Sequence, residues 1–198
     1  MNKIEELIAP QTKKIVLSCR KYFEYVEVLP DKQIEHFWSV QLKMLSDIYR
    51  GMLVLPEIET RYSSDVDKFV TEKAYNKVLA GLTAYIGALD KFPDFTDMNT
   101  AGVMKATEAS LSEMLTDIYQ ELKDFVLLYE TETLENMNDA IAECEDSFGR
   151  YWGVKLLSAL RIIHVNLYQQ RYAVSKKSDD LEINIEEVIG DYNGEEEE

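Results

Sequence analysis

The sequence predicts an all-α protein, a helical bundle of about six helices followed by an acidic C-terminal tail. Three observations carry this. Apolar residues recur at spacings of three and four along most of the chain, the period of a helix with one buried face. Only 8 Gly and 4 Pro occur in 198 residues, few turn formers for a many-stranded β protein. Hydrophobic residues make up 46% and charged residues 29%, the balance of a globular chain long enough to bury a substantial core. The expected organisation is one helical domain over residues 1–173 and a tail over 174–198.

Taken in order, the first helix is split or kinked at Pro10. After Pro30, Asp31 is placed to cap a helix running to about Val54, with Ile34, Trp38, Leu42, Leu45, Ile48, Tyr49 and Met52 inward and Pro56 as its stop. Tyr75, Val78, Leu79, Leu82, Tyr85, Ile86 and Leu89 make the next stripe, closed by Pro93. Leu111, Leu115, Ile118, Leu122, Phe125 and Tyr129 make another, and Leu134, Met137, Ile141, Cys144 and Phe148 a fourth. The run YWGVKLLSALRIIHVNLY (Tyr151–Tyr168) is apolar on more than one face, which predicts a helix central to its bundle. Gly149 and Gly153 either separate it from the preceding helix or mark a close helix contact. Segments 57–67 and 94–106 are long for bundle connections.

Two near-copies, MLSDIYRG at Met44 and MLTDIYQE at Met114, raise the question of a duplicated site. At about 100° per residue their apolar letters share one face, and Asp47 and Asp117 point well off it. A second echo, FWSV against YWGV, has a different offset, so no single repeat accounts for both.

The net charge of −16 disfavours direct binding of a nucleic-acid backbone, which needs a basic surface. Residues Val174–Glu198 hold ten acids against Lys176 and Lys177, so the tail carries −8 and the body the other −8. The N-terminus has no apolar stretch after its lysine, so no signal peptide is expected. No apolar run is long enough to span a bilayer, and the expected compartment is the cytoplasm. Cys19 and Cys144 form no CxxC and read as small buried hydrophobes.

Asp117, Glu121 and Asp124 fall within about 60° on one helix face. Carboxylates so spaced can hold Mg²⁺ or Mn²⁺, as in all-helical nucleotide pyrophosphohydrolases, whose pattern pairs an ExxE with a later ExxD. Here Glu121 and Asp124 form an ExxD, and Glu132 and Glu135 an ExxE followed by an ExxD at Glu143 and Asp146. That pair sits too close in sequence to lie on facing antiparallel helices. Among 37 acids chance matches are expected, and a solvated acidic face is the favoured reading. His36 reads as surface and His164 as a satisfied, partly buried histidine. Its RIIH context falls short of the Arg–His spacing of helical ribonuclease toxins. No ExxH, Gly-rich phosphate loop, HExxH or GxSxG occurs. Trp38, Trp152 and Tyr151 read as core anchors. No catalytic residue, metal ligand or cofactor is assigned. Within the tail, LEINIEEVI alternates as a strand would and also offers a small helical face, so it is a candidate docking segment.

The stretches LTAYIGALDKFPDF (Leu82–Phe95), DIYQELKDFVLLYE (Asp117–Glu130) and NDAIAECEDSFGRYWGVKL (Asn138–Leu156) resemble the bacterial family catalogued as domain of unknown function 5063. The resemblance implies an all-helical cytoplasmic protein over most of residues 1–173 and implies no catalytic residues. The function expected is an intracellular protein-interaction or adaptor module with a protein partner. Two alternatives stand beside it: a metal-dependent phosphohydrolase using helix-borne carboxylates, and an acidic regulator of a nucleic-acid enzyme acting through the tail.

Overall fold

The computed structural model describes residues 7–31, 33–58, 61–63, 65–98 and 104–178, with backbone alone for 95–98, 104–106 and 170–178. Helix α1 (Pro10–Glu27) opens on Pro10 in its first turn, where a missing N–H costs nothing. It turns Ile15, Cys19, Tyr22, Phe23 and Val26 inward. Helix α2 (Ile34–Met52) begins two residues later than Asp31 could cap, with Gln33 at its N-cap and no side-chain cap bond. Phe37, Trp38, Leu45, Ile48 and Met52 are its buried face.

Helix α3 (Glu72–Ile86) is capped by Thr71, whose hydroxyl accepts from the Ala74 amide at 3.2 Å. It ends at Gly87, where φ is +62°, a conformation glycine adopts without a Cβ penalty. The expected long connection is not a loop. A hairpin of β1 (Lys91–Met98) and β2 (Met104–Ser110) occupies it, antiparallel, with Lys91 opposite Ser110 and a register shift between Asp94 and Asp97. Pro93, expected to stop a helix, lies inside β1 opposite Glu108.

Helix α4 (Leu111–Tyr129) packs against α1 and α3 and against α5 (Leu134–Ser147). Leu111, Leu115, Ile118, Leu122 and Val126 are fully buried, so α4 is the central helix. A π turn (Phe148–Trp152) joins α5 to α6 (Gly153–Ser178). Gly153 is required there: a Cβ would overlap the Phe148 carbonyl oxygen, to which its own N–H bonds. The expectation of a central last helix is therefore corrected. Trp152, Leu156, Ala159, Ile163 and Leu167 are buried, whereas Tyr151, Val154 and Leu157 are 42%, 47% and 48% exposed.

The core is one continuous cluster that includes Trp38, Trp152, Leu115 and Ile163. Compact packing divides the chain into Met1–Leu167 and Tyr168–Glu198. Of the second unit only α6 through Ser178 is described, so the docking segment expected in the tail lies outside the described residues. No helix among the described residues is long and apolar enough to cross a membrane.

Candidate functional site

None of the three carboxylates singled out on α4 is exposed; Glu121 and Asp124 line one small cavity, and Asp117 lies outside it. Asp117 is largely buried, pairs with Lys155 on α6, and accepts from the Tyr75 hydroxyl at 2.7 Å. Burial, then the bond to Asp117, pushes the Tyr75 phenol up. Burial pulls the Lys155 amine down, but its bonds to Asp117 and Tyr151 outweigh this and leave it raised. Asp124 is buried and its Oδ1 accepts the backbone N–H of Phe69 at 2.6 Å and of Val70 at 2.8 Å.

Glu121 lies between these two in sequence but shares neither partner set. Burial raises its carboxyl above the usual range, against a bond from Ser147 and the charge of Lys68. With Asp124, Glu143, Lys68 and Cys144 it lines a cavity of ≈ 10 Å³, about the room of a single water. Among the described residues no group of three or more His, Cys, Asp or Glu is placed to hold a metal ion.

The acids act instead as clamps on the segment between α2 and α3. Asp139 on α5 accepts from the Tyr62 amide at 2.8 Å and the Ser63 amide at 2.7 Å. Arg61 donates to Glu143 at 2.8 Å, to the Ala142 carbonyl at 2.9 Å and to Asp146 at 3.3 Å. Burial alone would raise Glu143, but Lys68 and Arg61 hold its carboxyl below the usual range. Asp90 accepts from the Ser112 amide and the Ser110 hydroxyl at the start of α4, where a carboxylate also meets the helix dipole. Asp94, buried on β1, accepts from Arg161 of α6 at 3.1 Å. Sequence reading missed these clamps because their donors are mostly backbone amides. The one signal available was the length of segment 57–67.

Cys19 and Cys144 are both free and buried, and burial raises both thiols. That leaves little thiolate for chemistry at neutral pH. His36 is exposed as expected, and His164, expected partly buried, is exposed as well. Trp38 and Trp152 are core residues. Tyr151 is not: it lies at the surface with the Lys155 ammonium 4.0 Å from its ring centre.

Among the surface features of the described residues, two bear on a ligand or partner. One is an open groove of about 490 Å³ between the end of α1 and α3, with Val26, Leu29, Val78 and Gly81 along it and Glu27 and Lys77 among its lining. The Glu27 carboxylate there accepts from Tyr119 and pairs with Lys123. The other is the outer face of α6. Tyr151 precedes it in the π turn, Val154 and Leu157 are its apolar residues, and Arg150 and Arg161 its cations.

None of the curated proteins matches this chain. Among solved structures, the crystal structure of protein BF1032 from Bacteroides fragilis matches with a TM-score of 0.70 at 25% identity, covering 80% of this chain and 93% of that one. Residues 6–169 match the family described as Domain of unknown function (DUF5063). All seven of these acids fall in the three stretches that carried the resemblance: Asp90 and Asp94, Asp117 and Asp124, and Asp139, Glu143 and Asp146. With the match covering α1 to α5 and most of α6, the chain belongs to the DUF5063 family.

Proposed function

We propose that the protein is an interaction module that presents the outer face of α6 to a protein partner. The observation that carries this is the pair Val154 and Leu157. Each is about half exposed on a helix whose opposite face is fully buried at Leu156, Ala159 and Ile163. Single exposed apolar residues are ordinary, but neighbours one turn apart beside an exposed tyrosine make a contiguous strip.

The phosphohydrolase reading has less support. Asp117 spends both oxygens on Tyr75 and Lys155 and Asp124 spends Oδ1 on two backbone amides, and the cavity that Glu121 and Asp124 line is water-sized. The reading as an acidic regulator rests on the tail over 174–198, which beyond Ser178 lies outside the described residues.

A photo-crosslinking residue at position 154 or 157 tests the proposal in cells. The expected result is a discrete adduct from either position and none from position 14 on α1. Equal labelling at all three, or none at any, would remove the reading.

A further inference from the structure

Resting on that reading, the chemistry of the same face narrows the partner: we infer that it is an acidic amphipathic helix. Residues Gly149–Leu167 contain Arg150, Lys155 and Arg161 and no Asp or Glu. Against a net charge of −16, that stretch is +3 and the rest of the chain −19.

Spacing identifies the shape of the occupant. Arg150, Val154, Leu157, Arg161 and His164 follow one another at intervals of four, three, four and three, the period that keeps a seam facing a partner helix. All five are exposed. The seam therefore offers two apolar knobs with a guanidinium on either side.

Both arginines keep unused donors. Arg150 bonds Asp146 through Nη2, and Arg161 bonds Pro93 and Asp94 through Nη2. Their Nε and Nη1 donors have no partner among the described residues, and the side chains are 75% and 49% exposed. Guanidinium donors in a planar fork match a carboxylate. A partner helix with leucines opposite Val154 and Leu157 and glutamates opposite Arg150 and Arg161 matches both apolar residues and both guanidinium groups of the seam. A second copy of this chain does not, because pairing two α6 seams sets arginines beside arginines on two acidic bodies.

The test uses the full chain, ¹⁵N-labelled, and three probes. These are a helical peptide with a Leu heptad seam flanked by Glu, the same peptide with Lys for Glu, and a mixed-sequence RNA. The Glu peptide is expected to shift amides of 150–164 alone. Its binding should weaken at least about tenfold in V154E/L157E, with the melt of that variant expected to stay near the parent's because both side chains are about half exposed. R150E, at a residue whose hydrogen-bond partner among the described residues is Asp146, should weaken it with the apolar pair intact. No shifts with the Glu peptide, equal binding of the Lys peptide, or RNA shifting the same amides would each overturn the inference. Crosslinking at positions 154 and 157 separates the two levels. Adducts with a partner lacking an acidic helix would sink the inference and leave the interaction reading standing, whereas no adducts at all would sink both.

Discussion

Arg61 Nη1 donates to Glu143 Oε2 at 2.8 Å, joining two residues that lie 82 apart in sequence. The contact closes the segment before α3 over α5, and Asp139 and Asp124 fasten its backbone on either side. Each of these acids accepts two amides, so each holds a stretch of main chain rather than one side chain.

Removing such a clamp should loosen the segment more than the bundle. Asp139→Ala leaves the Tyr62 and Ser63 amides without their acceptor and should cost about 1–3 kcal/mol. Hydrogen exchange at residues 62 and 63 should accelerate, with α4 amides protected as before. Unchanged exchange there would show that Asp139 does not hold the segment.

Glu121 and Glu143 should respond to pH in opposite senses. Glu143 is held below its ordinary value, so its contribution is present above the unfolded pKa and fades as pH falls through the folded one. Glu143→Gln should therefore destabilise the protein at neutral pH and have no effect in acid. Glu121 is raised, so its folded state favours the protonated form and its ionisation costs stability as pH rises. Glu121→Gln should raise the melting temperature at pH 7, and the gain should shrink as pH falls through the raised pKa. A gain that grew in acid would contradict the assignment.

Arg161 is the single ionic partner of buried Asp94 among the described residues. Arg161→Met should cost about 2–4 kcal/mol, because it strands a carboxylate that is 4% exposed. Asp94→Asn in the same chain should return much of that loss in a chemical-denaturation cycle. Additive losses would mean that the pair is not coupled.

Two backbone positions make opposite predictions. Gly153→Ala sets a Cβ against the Phe148 carbonyl in the π turn and should cost about 1–3 kcal/mol. Glu132, in the turn between α4 and α5, has φ of +60°. Glu132→Gly should relieve that conformation and stabilise by about 0.5–1 kcal/mol. Thermal melts of the two variants should move to opposite sides of the parent.

The helices were legible because Leu45, Leu115, Ile141 and Leu156 sit in stripes whose period is written in the side chains themselves. The hairpin was not. Its inward positions include Phe92 and Asp94, and a buried acid breaks the apolar alternation that marks a strand. The same difficulty hid the roles of Asp117 and Asp124, since an acid on a helix reads as solvated unless its donor is known. Their donors are a lysine 38 residues away and amides 54 and 55 residues away. The face of α6 was half legible: its second apolar stripe was evident, but periodicity alone does not tell a covered stripe from an open one.

The π turn also sets the rotational phase of everything after it. Removing one residue between Phe148 and Trp152 would turn α6 by about 100° relative to α5. Val154 and Leu157 would swing towards the core, and part of the Leu156–Ile163 stripe would swing out. Chain length at this joint thus determines which side chains of α6 the protein displays, and a one-residue insertion or deletion there would exchange that face without any substitution within α6 itself.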